Sequence, residues 1–303
     1  MLRAPSFAAV VLLMVSSIGS AQPKYVDYQD AFTQGAKHLR AGRLPEGQAA
    51  LEAALTLAKT NRDHFEAMKA LIVPYRELPG VERMRTASEY VIRMSTLPAE
   101  QSLTRGSLLQ FLNKRGKLDE AIKDYEERLE KLPDDRMLLF VLTDAYGRFR
   151  NDPKKSAEFG EKLIAVDAKA KIKPDVNSYA EIARQMVLAK RYAEGAKLFE
   201  ELAGLDESMQ AWNLKEAAQA WLKGGDKGQA LTAAKKSAAA KPEKRSEQLT
   251  YFWQRGLADT FLGLGEPALA IPHYEAALQS TKIEGYKKET ATKLAEAKTA
   301  AGK

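Results

Sequence analysis

The chain has 303 residues, 45% of them hydrophobic and 29% charged, with a formal net charge of +7 and no cysteine. That balance is the balance of a folded chain rather than a disordered one, and the missing cysteine excludes disulfides, thiol nucleophiles and cysteine metal sites. His38, His64 and His273 are scattered and share no ligand spacing.

The first predicted element stands apart from the fold. Arg3 supplies a positive start, Phe7 to Val15 is almost unbroken apolar sequence, and Ser16 to Ala21 is rich in small residues. This is the secretory signal pattern. It predicts cleavage near Ala21 and an exported chain, periplasmic or secreted, with residues 22–26 as a loose leader. The rival is an uncleaved anchor, but the run falls short of the roughly 20 apolar residues that a membrane span needs. No later segment reads as a transmembrane segment.

Beyond the signal, one pattern returns at intervals of about three dozen residues: a turn, then small and large apolar residues at helical spacing. It occupies Leu44 to Leu55, Leu118 to Leu129, Tyr192 to Ala203, Lys227 to Ala238 and Pro267 to Leu278. A fixed period in this range means stacked supersecondary units. Ala, Leu, Lys and Glu dominate and favour helix. The expectation is an all-α solenoid over 22–283, built from about seven helix-turn-helix units.

In chain order, the first unit carries Gly35, His38, Gly42, Gly47, Leu51 and Ala54. Residues 62–101 are irregular: Pro74 lies inside the apparent first helix, which predicts a bend in the array, and Leu78-Pro79-Gly80 forms the turn. The third unit has a first helix from about Ser102 to Arg115, then Gly116, Ala121, Tyr125 and Pro133. In 136–169, Thr143 and Tyr146 are kept, and Asn151-Asp152-Pro153 is expected to lengthen the turn by about one residue. The fifth unit carries Ala183, Met186, Gly195, Phe199 and Leu202. The sixth carries Ala218, Trp221, Gly225, Ala230, Ala234 and Pro242, and the seventh Ala258, Phe261, Gly265, Ala270, Tyr274 and Ala277. Residues 284–303 read as a polar capping helix and tail, the end a solenoid requires.

Those residues resemble the tetratricopeptide repeat, which alternates small and large positions over two helices. The resemblance covers about 28–282, with five good units and two imperfect ones. It implies a non-enzymatic scaffold that holds a protein or peptide partner on a concave face made by the first helix of each unit. On that face, spacing places Phe32, Ala36 and Phe140 and the groove candidates Gln110, Asn113, Asp144, Asn177, Arg184, Trp212, Lys215, Gln219, Phe252, Arg255 and Asp259. Trp212 and Phe252 open equivalent helices, so two aromatics beside Lys215 and Arg255 would make an anchor. The family's carboxylate clamp is matched only at its first step, by Lys215 with Gln219. The next unit presents Phe252, Gly256 and Asp259 instead.

Nothing in the sequence reads as a reaction centre or a cofactor site. Gly263-Leu264-Gly265-Glu266-Pro267-Ala268 matches a dinucleotide fingerprint in letters but follows a predicted helix, not a strand. Gly224 to Gly228 lacks the ending of a phosphate loop. Paired carboxylates such as Glu126/Glu130 and Glu200/Glu201 read as solvated faces. Nucleic-acid binding would want aromatics interleaved with bases along one groove, which is not seen. The runner-up reading uses the basic surplus, with local runs at Lys235-Lys236 and Lys241 to Arg245, to bind an anionic envelope polymer or small ligand. Membership of a larger envelope complex is a further expectation.

Overall fold

The computed structural model describes residues 25–240 and 246–302. The predicted signal and the Lys241–Arg245 run lie outside the described residues. Two compact units divide between Ser95 and Thr96. In the first, α1 (Tyr28–Arg40) pairs with α2 (Leu44–Leu57), and α3 (Asn61–Glu77) with α4 (Val81–Met94). The second holds α5 (Pro98–Lys114), α6 (Leu118–Lys131), α7 (Arg136–Asp144) with a π-helical turn (Ala145–Phe149), and α8 (Pro153–Ala170). It continues with α9 (Val176–Leu188), α10 (Tyr192–Leu205), α11 (Glu207–Lys223), α12 (Lys227–Ala240), α13 (Glu247–Gly263), α14 (Pro267–Gln279) and α15 (Glu284–Ala300).

The fold is an α-solenoid. Among the described residues there are seven hairpins and a closing helix, and no strand. Short turns force the two helices of each hairpin to run antiparallel. First helices of successive hairpins also pack on one another, α1 on α3 in the first unit and α5 on α7 and α11 on α13 in the second. Helix α15 packs on α14 through Ala297, and Thr290 meets α13 through the Tyr251 hydroxyl, while most of its remaining surface is exposed. That polar outer side ends the stack without offering another apolar face.

The small-and-large pattern is the core. Leu51, Ala54, Leu109, Ala121, Tyr125, Ala183, Phe199, Ala218, Ala230, Ala258, Ala270 and Tyr274 are all buried. Alanine and glycine let helices approach closely, and the larger side chains fill the grooves left beside them.

All seven hairpin turns have three residues between their helices. In six of them the middle residue has a positive φ: Gly42, Gly116, Asn151, Lys190, Gly225 and Gly265. The residue after it donates its N–H back over the end of the first helix, as in Lys117 N to Leu112 O at 2.8 Å and Arg191 N to Met186 O at 2.9 Å. This closure satisfies carbonyls that the helix end leaves free, and it needs a left-handed residue, for which glycine is the best fit. Lys190, at φ 63°, takes that position with a side chain. Lys190→Gly is therefore expected to stabilise the protein by about 0.5–1 kcal/mol, read as a raised thermal midpoint. Gly225→Ala should move it the other way.

Two sequence expectations are corrected in detail. The extra residue near 151 does not lengthen the turn. It is wound into the π turn, where Arg150 N reaches Ala145 O at 3.1 Å, and a one-residue insertion in a helix is absorbed this way. Pro74 lies inside helix α3 as expected, and the helix continues to Glu77. Helix α5 starts at Pro98 rather than near Ser102, because proline is well suited to the first turn.

Candidate partner-binding face

The predicted groove residues all lie on first helices of the second unit, and a subset on α9, α11 and α13 comes together. Arg184 on α9 and Gln219 on α11 line one pocket of about 170 Å³, with Phe199 of α10 at its base and Leu188, Glu216 and Lys223 around it. Arg184 pairs with Glu181 at 3.0 Å. Further along α11, Lys215 sends its ammonium to Glu216 at 2.8 Å and lies 5.2 Å from the centre of the Trp212 ring. Gln219 donates to the Gly256 carbonyl of α13 at 3.3 Å. Gly256 has a steric role here: a Cβ would come within 2.9 Å of the Lys215 stem.

On α13, Phe252 is 41% exposed and meets Tyr251 and Tyr286 edge-on, at 5.2 and 5.7 Å between ring centres. Arg255 bridges α13 to α15, donating to the Tyr251 hydroxyl at 2.9 Å and to Glu289 at 2.5 Å, with Asp259 3.5 Å away. The Glu289 hydrogen bond, above all, holds the guanidinium in its charged form. Asp259 also accepts from Tyr274 of α14 at 2.7 Å. Burial, reinforced by that carboxylate, pushes the Tyr274 phenol well above its ordinary value.

Five expected positions behave differently from an open face. Asp144 is buried and salt-bridged to Arg105 of α5 at 2.5 Å, with Arg148 at 3.5 Å. Phe140 is buried too, its ring contacted by the guanidinium groups of Arg105 and Arg136 at 4.3 and 4.6 Å. Lys215 is buried because its stem crosses Gly256 and its ammonium is paired. Trp212 is half-buried, and its indole nitrogen is covered and has no partner among the described residues. Asn177 is exposed but lines a separate hollow at the first-helix N-termini, with Thr96, Arg136 and Asp206. Gln110 and Asn113 are exposed on α5. In the first unit, Phe32 stacks on Tyr28 at 5.6 Å and, like Ala36, is half-buried.

Local contacts account for the three histidines: His38 accepts from Arg43, His64 meets the Thr60 carbonyl, and His273 bonds Gln254 at 2.7 Å. Among the described residues, no three His, Asp or Glu side chains are grouped to hold a metal ion. None of the described helices is long and apolar enough to cross a membrane. The Gly263-to-Ala268 fingerprint falls on the turn between α13 and α14.

No family model matches the chain. None of the curated proteins compared with it matches either. Solved structures do. A tetratricopeptide repeat protein from Parabacteroides merdae is 14% identical, covering 88% of this chain and 98% of its own, with a TM-score of 0.40. The tetratricopeptide domain of P58(IPK) is 15% identical over 91% of this chain and 79% of its own, with a TM-score of 0.32. The TPR2AB domain of yeast Sti1, solved as a complex with pHSP90, is 15% identical over 89% and 98%, with a TM-score of 0.34. Likeness at that level carries no inference about a partner.

Spacing missed the polar links between helices. Glu126, read as solvated, accepts from Tyr146 at 2.6 Å, and Glu200 accepts from the Trp221 indole at 3.1 Å. Tyr75 with Glu52 and Tyr179 with Asp167 repeat the arrangement. A tyrosine on one helix and a carboxylate some 12 to 23 residues away is a weak sequence signal, because acidic residues are common along the chain.

Proposed function

We propose that the chain is a non-enzymatic binding scaffold, and that the first-helix face of α9, α11 and α13 holds a segment of a protein partner. The observation that carries this reading is Phe252, a large aromatic left 41% exposed on α13, with half-buried Trp212 on the neighbouring first helix α11. Aromatic anchors are among the few residues that supply most of the binding energy at protein interfaces. Several cations on this face are already matched by carboxylates, Arg184 by Glu181, Lys215 by Glu216 and Arg255 by Glu289, while exposed Lys223 at the pocket forms no ion pair among the described residues. That favours an apolar-anchored peptide over an anionic polymer, which needs uncompensated charge. The export pattern at the N-terminus supports a place in the periplasm or outside the cell, within an envelope complex.

The test is quantitative affinity capture with residues 22–303 from an envelope extract. Phe252→Ala and Arg184→Glu should each reduce recovery of the specific partner at least tenfold, with the thermal midpoint kept in Arg184→Glu and lowered by only a few degrees in Phe252→Ala, which loses its edge contacts to Tyr251 and Tyr286. Recovery unchanged by both would sink the assignment of this face. Recovery that collapses as salt is raised, regardless of Phe252, would instead favour the polymer.

A further inference from the structure

A second surface lies on the second helices, away from the residues just described. Helices α6 and α8 border an open groove of about 720 Å³. Its apolar floor is formed by Leu129, Phe159 and Val166. Along the α6 side stand Glu126 and Glu130, one turn apart on the helix, and Asp134 in the turn that follows it. Along α8 stand Lys155, Lys162 and Lys169, seven apart, which also align on a helix. The outer rungs of this ladder are closed: Lys155 reaches Glu126 at 3.4 Å, and Lys169 reaches Asp134 at 2.7 Å. The middle rung is not bridged, and Lys162 instead holds its ammonium 5.5 Å from the centre of the Phe159 ring. Glu130 and Lys162 are both exposed, line the same groove, and form no ion pair among the described residues.

We infer that the α6/α8 groove docks an amphipathic helix carrying a bulky apolar side chain flanked by a basic residue on one side and an acidic residue on the other. The apolar side chain meets Leu129, Phe159 and Val166. The basic flank meets Glu130, and the acidic flank meets Lys162. Charge complementarity selects this occupant: a polyanion is repelled by the α6 wall and a polycation by the α8 wall. A helix fits the length, since Phe159 and Lys169, which both line the groove, lie about 15 Å apart along α8, room for about three turns of a docked helix. Reading of i, i+3 and i+4 anchors by a groove is the established physics of such docking.

The experiment titrates the full chain into a fluorescein-labelled synthetic 14-residue helical peptide, read by anisotropy. Its leucine stripe is flanked by lysines on one side and glutamates on the other. Saturable binding is expected, weakened at least tenfold by Glu130→Lys and by Lys162→Glu with no change in thermal midpoint. Peptides with lysine on both flanks, or glutamate on both, should bind at least tenfold more weakly. Phe252→Ala should leave the titration unchanged, which separates this groove from the first-helix face. The inference is overturned by any of three results: no saturable binding, equal binding of a single-sign peptide, or self-association of the chain that Lys162→Glu abolishes.

Discussion

Arg105→Ala should lower the stability of the second unit by about 3 kcal/mol, because it leaves the buried Asp144 carboxylate only its longer, 3.5 Å contact to Arg148. Arg105 and Asp144 are 2% and 6% exposed at the side chain and join α5 to α7 at 2.5 Å. The same truncation removes one of the two guanidinium groups that contact Phe140. In a thermal melt followed by circular dichroism, the midpoint should fall on the order of 10 °C. Arg105→Met combined with Asp144→Leu should recover most of that loss, since removing both charges also removes the need to desolvate them. A shift of less than about 3 °C for the single variant would show that the pair adds little to this unit.

Gly195→Ala should cost about 1–3 kcal/mol by overpacking the α9/α10 hairpin. A Cβ at Gly195 would stand 2.8 Å from the Ala183 carbonyl and 2.7 Å from a Val187 methyl. The valine can rotate, but a backbone oxygen cannot, so the two helices must separate. Phe199 and Arg184, on opposite sides of that contact, line the same pocket, so separation should also weaken partner capture. Gly204→Ala is the control. It lies on the same helix, a methyl group added there meets nothing within 4 Å, and alanine favours helix over glycine by about 1 kcal/mol. Denaturant melts should therefore separate the two variants in opposite directions. Equal midpoints would mean that the close approach of α9 and α10 does not depend on the missing side chain.

The hairpins were legible because their signal is steric and repeated. Ala121 and Tyr125, or Ala270 and Tyr274, recur at one spacing and are buried wherever they recur. The glycine turns were legible for the same reason, since Gly116, Gly225 and Gly265 all adopt positive φ. Lys190 in the same position was not, because lysine gives no sign of a left-handed backbone. The face was harder. Spacing finds which side of a helix a residue occupies, but not what a neighbouring helix lays over it. Phe252 stays open, while Lys215, three residues beyond Trp212, is drawn across Gly256 and buried. Asp144 shares a predicted side with Asn113, yet Arg105 from 39 residues earlier reaches it and encloses it.

The π turn at Ala145–Phe149 bears on how such an array changes over time. One added residue rotates everything after it by about 100° on an α-helix, which would carry a hairpin's second helix off its seat. Here the wider turn takes up that rotation before Arg150, and the three-residue turn that follows keeps its length. The Asp152 N–H still closes onto Tyr146, one residue further back than in the other turns. Insertion in this hairpin is thus a local change of winding rather than a change of phase. Later hairpins inherit the same register whether the residue is present or not, so the array can gain length in one unit without rewriting the sequence of the next.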